Sequence, residues 1–170
     1  SVVYGFFGLV VIVTFVRDVF GGSGFSILTA SILLGIMILP TIISVSEASI
    51  RAVPGSYYEG ALALGATHER SVFAAVLPAA KSGIVAGIVL GFGRAIGETM
   101  AVILVAGNQA RMPTGLLSGV RTMTTNIVLE MGYAADLHRD ALIATGVVLF
   151  AFILVINLVF NILKNKALCK

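Results

Sequence analysis

The stretch GIVAGIVLGFGRAIGETMAVILVA, Gly83 to Ala106, decides how this chain is read. As one helix of about 24 residues it would be roughly 36 Å long, enough to cross a bilayer. Arg94 stands near its middle, where a charge costs about 2.5–3.5 kcal/mol even on the mildest scale. Ionisable residues at that depth as a rule line an internal pathway, and Arg94 and Glu98 are read that way. Four residues apart, they share a helical face and can pair. At about 100° per residue, Gly83, Gly87 and Gly91 fall on the same narrow stripe. Small residues at that spacing let a second helix approach closely. The charged face is therefore expected to lie in protein or along a water-filled path, not in lipid.

The rest of the chain is of the same character. It is 58% hydrophobic and 11% charged, without a tryptophan, and its mean hydropathy is +1.06. A soluble domain carries roughly a quarter charged residues. The composition predicts an all-α polytopic membrane protein. A net charge of +3 would suit nucleic acid, but the basic residues are scattered or flank apolar segments, so no nucleic-acid partner is expected. Cys169 is the only cysteine, which excludes an intramolecular disulfide. His68 and His138 are far apart, no Cys/His group has zinc spacing, and HERSV at His68 lacks a zincin's second histidine.

Four apolar segments are expected to span the membrane: Val2 to Val16, Phe25 to Val45 with Pro40 inside it, a third from about Pro78, and Ala141 to Leu163. A glycine-rich turn, Gly21-Gly22-Ser23-Gly24, separates the first two. Connections at about 46–77 and 107–140 lie on opposite sides. The first holds amphipathic helical sequence around Glu59 to Ala75, the second a short helix near Thr122 to Met131. Arg51, Arg70, Lys81, Lys164, Lys166 and Lys170 lie on the side of the first. Arg17, Arg111, Arg121 and Arg139 lie on the other. Six against four places the first connection in the cytoplasm. Asn108 is expected to cap the third span, and Asn157 and Asn161 to bond to neighbouring helices. Ser1 opens straight into an apolar run, with no basic region or cleavage site of a signal peptide, so an upstream part is expected to be missing.

The cytoplasmic connection contains EGALALGATHERSVFAAVLPAA, Glu59 to Ala80. It resembles the EAA loop of permease subunits in ATP-binding-cassette importers. Glu59, Ala61, Gly65, Leu77 and Pro78 match at the right spacing, while Gly60 replaces the middle alanine and Ala75 an isoleucine. GFGRAIGETMAVILVAGN, Gly91 to Asn108, and TMTTNIVLEMGYA, Thr122 to Ala134, narrow the resemblance to phosphate-importer permeases of the PstC type. The PstA-type partner is similar around Arg94 to Glu98 but usually departs after it.

That resemblance implies a type I importer permease fold in a single domain spanning residues 1–170, with four spans here and two more before Ser1. It implies a multi-pass protein of the prokaryotic inner membrane. The loop, through Glu59, Gly60, Ala61, Gly65, Leu77 and Pro78, would form the coupling helix that docks on a cytoplasmic ATPase. The implied partners are a PstA-type permease, two copies of the ATPase, an external phosphate-binding protein and membrane lipid. No Walker A sequence is present, so ATP and Mg would belong to the ATPase and the chain would carry no cofactor and be no enzyme. GFGRAIG has one residue too many before its last glycine for a dinucleotide loop.

Arg94 is expected to give phosphate two parallel charge-assisted hydrogen bonds. Glu98 is expected to pair with Arg94 in the empty state, or else simply to fix helix packing. Other readings remain: a permease for sulfate, molybdate or tungstate, a PstA-type subunit, a scaffold for a sensor kinase, or an intramembrane enzyme. The enzyme reading lacks a second catalytic group at membrane depth.

Overall fold

The computed structural model describes the backbone of residues 1–168 and the side chains of residues 1–162. The side chains of Lys164, Lys166, Cys169 and Lys170 lie outside it. Among the described residues the chain is helical: α1 (Val2–Phe20), α2 (Ile27–Arg51), α3 (Gly55–Ala63), α4 (His68–Ile96), α5 (Met100–Val105), α6 (Met123–Glu130) and α7 (Asp136–Leu168). The only pairing of extended backbone described is one bridge, Gly107 to Val120. Helices α1, α2, α4 and α7 are long and apolar enough to cross a membrane.

The helices overrun the expected spans because polar residues can continue a helix past an apolar stretch. Helix α2 runs on to Arg51, where Arg51 Nη2 pairs with Glu47 Oε1 at 2.9 Å and Ser49 Oγ donates to the Val45 carbonyl. Helix α4 begins at His68 because Thr67 caps it, accepting from the Arg70 N–H. Ten residues later Pro78 sits inside it. Just before that proline, at Val72–Val76, the helix widens and the Leu77 N–H reaches back to the Val72 carbonyl. A proline has no N–H and its ring crowds the preceding turn, which the wider turn relieves.

The chain divides into two compact units. The first comprises Ser1–Ile38 and Arg94–Val155. Its core joins Ile12, Val13, Val16, Leu33, Met37, Ala101, Val102 and Val105. Helix α5 lies against α1 through glycine: a Cβ on Gly5 would meet Ala101 Cα at 2.9 Å, and one on Gly8 would meet Val105 Cγ1 at 3.2 Å. In lipid, apolar burial by itself drives little association, so such close approaches matter more than they would in water. The first amides of α2 are satisfied by the 107–140 connection, Ile27 N–H by the Ser118 carbonyl and Leu28 N–H by that of Leu116.

The second unit comprises Leu39–Gly93 and Ile156–Lys170. Here α4 packs on α2 through two glycines. A Cβ on Gly83 would collide with Ser49, and one on Gly87 would meet Val45 at 3.1 Å. Phe92 stacks on Phe160 with ring centroids 5.9 Å apart. The Asn157 carbonyl oxygen faces Gly93. No side-chain hydrogen bond of Asn157 or Asn161 is found among the described residues. Helix α3 buries no residue at all.

Candidate functional site

The helix expected from Gly83 to Ala106 is not continuous. Helix α4 ends at Ile96, and α5 starts at Met100. The reason is local. Gly97 contributes no side chain to hold the helix, and the Glu98 N–H turns back to the Ala95 carbonyl at 3.2 Å. Glu98 Oε1 then accepts from the Ala101 N–H at 3.2 Å, satisfying one of the free amides that open α5. A glycine followed by a carboxylate and a hydroxyl inside an apolar run is the signal for this joint in the sequence.

The break separates the two charges. Arg94 stays on the last turn of α4, whereas Glu98 lies in the joint, so they no longer occupy one helical face. Among the described residues no ion pair joins them, and no carboxylate lies within ion-pair distance of Arg94. The pairing expected in the empty state is not present among the described residues. Arg94 and Glu98 belong to the first unit; Gly83, Gly87 and Gly91 belong to the second, where Gly87 and Gly91 are buried.

The joint sits at depth. Ala101 touches Gly5, and Val105 touches Gly8 together with Leu33. Leu33 is six residues, about 9 Å, inside α2, and Gly8 is about 18 Å from the end of α1 at Phe20. Irregular backbone at such depth persists only where protein covers it or where it borders a cavity. Here it borders a cavity of about 270 Å³. Glu98 lines it, with Ser31, Thr122 and Thr124 as the other polar side chains and Leu34, Ala95, Ile96 and Val102 among the apolar ones. Ser31, Thr122 and Thr124 were not singled out in the sequence, because nothing local marks a hydroxyl as facing a cavity formed by distant segments.

Beyond α5 the chain is fixed by Asn108. Gly107, at φ 83°, turns the chain out of the helix, and Asn108 Nδ2 donates to the Ile103 carbonyl at 2.8 Å, the capping role expected of it. Arg121 then ties the connection together: its Nε donates to the Asn108 carbonyl at 3.1 Å and its Nη1 to Glu130 Oε1 at 2.7 Å. His138 Nε2 lies 3.5 Å from the other carboxylate oxygen. The nearby Tyr133 hydroxyl, then Arg121 and His138, hold the Glu130 carboxyl below its ordinary value, more than offsetting its desolvation. The same neighbour, with desolvation, raises the Tyr133 phenol.

The EAA-like segment folds as two helices, not as one run from Glu59 to Ala75. Gly65 at φ 82° stops α3, with the Ala66 N–H on the Ala61 carbonyl and the Gly65 N–H on that of Leu62. This is the closure in which glycine suits the left-handed position after a helix. Glu59 and Gly60 are exposed on α3 and Ala61 is half-buried. Helix α3 begins at Gly55, so Glu59 lies in its second turn and does not cap its start. Tyr58 Oη lies 2.7 Å from His68 Nδ1, bridging α3 to the first turn of α4. Leu77 is half-buried and Pro78 exposed.

Residues 1–166 match the family described as the binding-protein-dependent transport system inner membrane component. The chain is 40% identical over 164 residues to the "Probable ABC transporter permease protein YqgH" of Bacillus subtilis, covering 92% of this chain and 53% of that protein. It is 35% identical over 170 residues to the phosphate transport system permease protein PstC of Pasteurella multocida, covering 88% and 53%. Over 137 residues it is 39% identical to the phosphate transport system permease protein PstC 2 of Mycobacterium tuberculosis, covering 79% and 42%. The chain thus spans about half the length of the curated relatives it matches. No solved structure matches it.

Proposed function

The chain belongs to the binding-protein-dependent transport system inner membrane component family, and on that premise we propose that it is the PstC-type permease subunit of an ATP-driven phosphate importer. The observation that carries this reading is the interrupted membrane helix, with Glu98 in the break, where it lines a cavity, and Arg94 exposed on the turn before it. Broken helices of this kind concentrate polar groups where a bilayer otherwise forbids them. Arg94 supplies a planar fork of donors that fits two oxygens of a tetrahedral oxyanion. The substrate's own charge offsets a guanidinium that has no carboxylate beside it among the described residues.

The remaining roles follow from the same reading. Phosphate is delivered to the 107–140 side by an external binding protein. A PstA-type subunit completes the path, and lipid surrounds the pair. On the opposite, cytoplasmic side α3 docks on one of two ATPase copies, which bind ATP and Mg. Helix α3 suits this role because none of its residues is buried and it is linked to α4, through Gly65, Thr67 and the Tyr58–His68 contact. A push on α3 reaches the Arg94 turn along the continuous α4.

The test is radiolabelled phosphate uptake by the full-length parent with its partners. Arg94→Gln should insert normally and lose uptake about 10- to 100-fold at low phosphate, the worth of a charge-assisted bond. Normal uptake in that variant would reduce Arg94 to packing. Inhibition by sulfate or molybdate would move the substrate to another oxyanion.

A further inference from the structure

We propose that Tyr58 and His68 are positioning residues for energy coupling: their contact fastens α3 to the first turn of α4, so that the two helices turn together when the ATPase moves α3. The inference rests on the reading above that α3 docks on the ATPase, and it names the side chains that pass the movement on.

By itself α3 holds its orientation poorly. It buries no residue, and the chain leaves it through Gly65, in the left-handed conformation. The connection to α4, residues 64–67, can pull a short helix along. It resists rotation weakly, because glycine moves readily between backbone conformations. Packing adds little. Tyr58 and Ala61 are the only half-buried residues of α3, three apart and so on one face. An alanine methyl grips little, and the fastening falls to Tyr58. Its hydroxyl lies 2.7 Å from His68 Nδ1, the one side-chain hydrogen bond between α3 and α4 among the described residues. The two rings meet edge to face with centroids 5.6 Å apart, which adds to the hydrogen bond.

Placement matters as much as strength. Tyr58 stands five residues before Ala63, the end of α3, about 7.5 Å along the axis. His68 is the first residue of α4, in the turn that Thr67 caps by accepting from the Arg70 N–H. Helix α3 is thus attached at two points, covalently at its end and through Tyr58 partway along. Two points on a rod fix its direction, where one leaves it free to swing. With the imidazole proton on Nε2, the Tyr58 hydroxyl donates and Nδ1 accepts. Both side chains are short of rotatable bonds compared with lysine or glutamate, so little of a displacement is lost in rotamer changes.

The test uses the full-length transporter with its partner permease and ATPase, reconstituted in proteoliposomes and supplied with phosphate-loaded binding protein. ATP hydrolysed is counted per radiolabelled phosphate taken up. Tyr58→Phe keeps the ring and removes the hydroxyl. It should raise that ratio about two- to tenfold, the worth of one hydrogen bond, with ATP hydrolysis retained. His68→Ala should raise it too, and the double variant should match His68→Ala, because both substitutions remove the same contact. His68→Asn, whose side-chain oxygen can accept near the place of Nδ1, should keep the wild-type ratio. An unchanged ratio in Tyr58→Phe overturns the inference. Additive effects in the double variant overturn it as well. So does a parallel fall of hydrolysis and uptake, which marks a loss of docking alone. The docking reading is tested apart, with Tyr58 and His68 intact: it falls if cross-linking from Glu59→Cys, on the exposed side of α3, captures no ATPase.

Discussion

At the scale of single residues, position within the backbone outweighs residue type. Arg94 and Glu98 are four apart, a spacing that on a continuous helix makes an ion pair. One glycine between them, Gly97, opens the helix and assigns Glu98 to the Ala101 amide instead. Glu130 shows the complementary case, a carboxylate that gathers partners distant in sequence. Its folded value is depressed by Tyr133, Arg121 and His138. A depressed carboxylate contributes stability above its ordinary value of about 4.3 and loses it as pH falls through the folded value. Thermal unfolding of the wild type and of Glu130→Gln should therefore differ at neutral pH and converge under acid conditions. A gap of constant size from pH 7 to pH 3 would show that the ion pair is not its source.

At the scale of elements, small residues decide which helices touch. Gly83 meets Ser49, Gly87 meets Val45, and Gly5 meets Ala101 at distances that no Cβ fits without movement. The stripe of glycines was legible in the sequence because a helical period is local. Its partner was not, because any helix with a suitable face could have answered it. Gly83→Ala should cost about 1–3 kcal/mol as an overpacked contact, read as a fall in the unfolding midpoint of the assembled transporter. Adding Ser49→Gly removes the obstruction and should recover part of it, less the roughly 1 kcal/mol that glycine costs within a helix. No recovery would mean that Gly83 acts on another neighbour. The two-part EAA-like segment has the same logic. Its length and composition read as one amphipathic helix, yet Gly65, in the left-handed conformation, makes it two.

At the scale of the whole molecule, little of the membrane-spanning surface is buried by the chain itself: 28% of the most apolar stretch of α1 but 6% of that of α7. Apolar side chains around α7, such as Phe150, Phe152, Val155 and Leu158, remain exposed and are left for lipid or partner subunits. Hydrophobic photolabelling of the chain in bilayers should mark α7 more heavily than α1, and the reverse would contradict this packing. The sequence alone determined that the chain crosses a membrane on helices and which segments do so, and it marked out the EAA-like loop and the two charges, Arg94 and Glu98, inside an apolar run. Each rests on composition, length or a local period, which a one-dimensional reading contains. Tertiary structure alone decided that Glu98 leaves its helix to face Ser31, Thr122 and Thr124, that Arg94 stands without it, and that α2 receives the glycines. Those outcomes depend on segments far apart in the chain meeting in space, where close packing and the need to satisfy every buried amide select one arrangement among many that the sequence pattern permits.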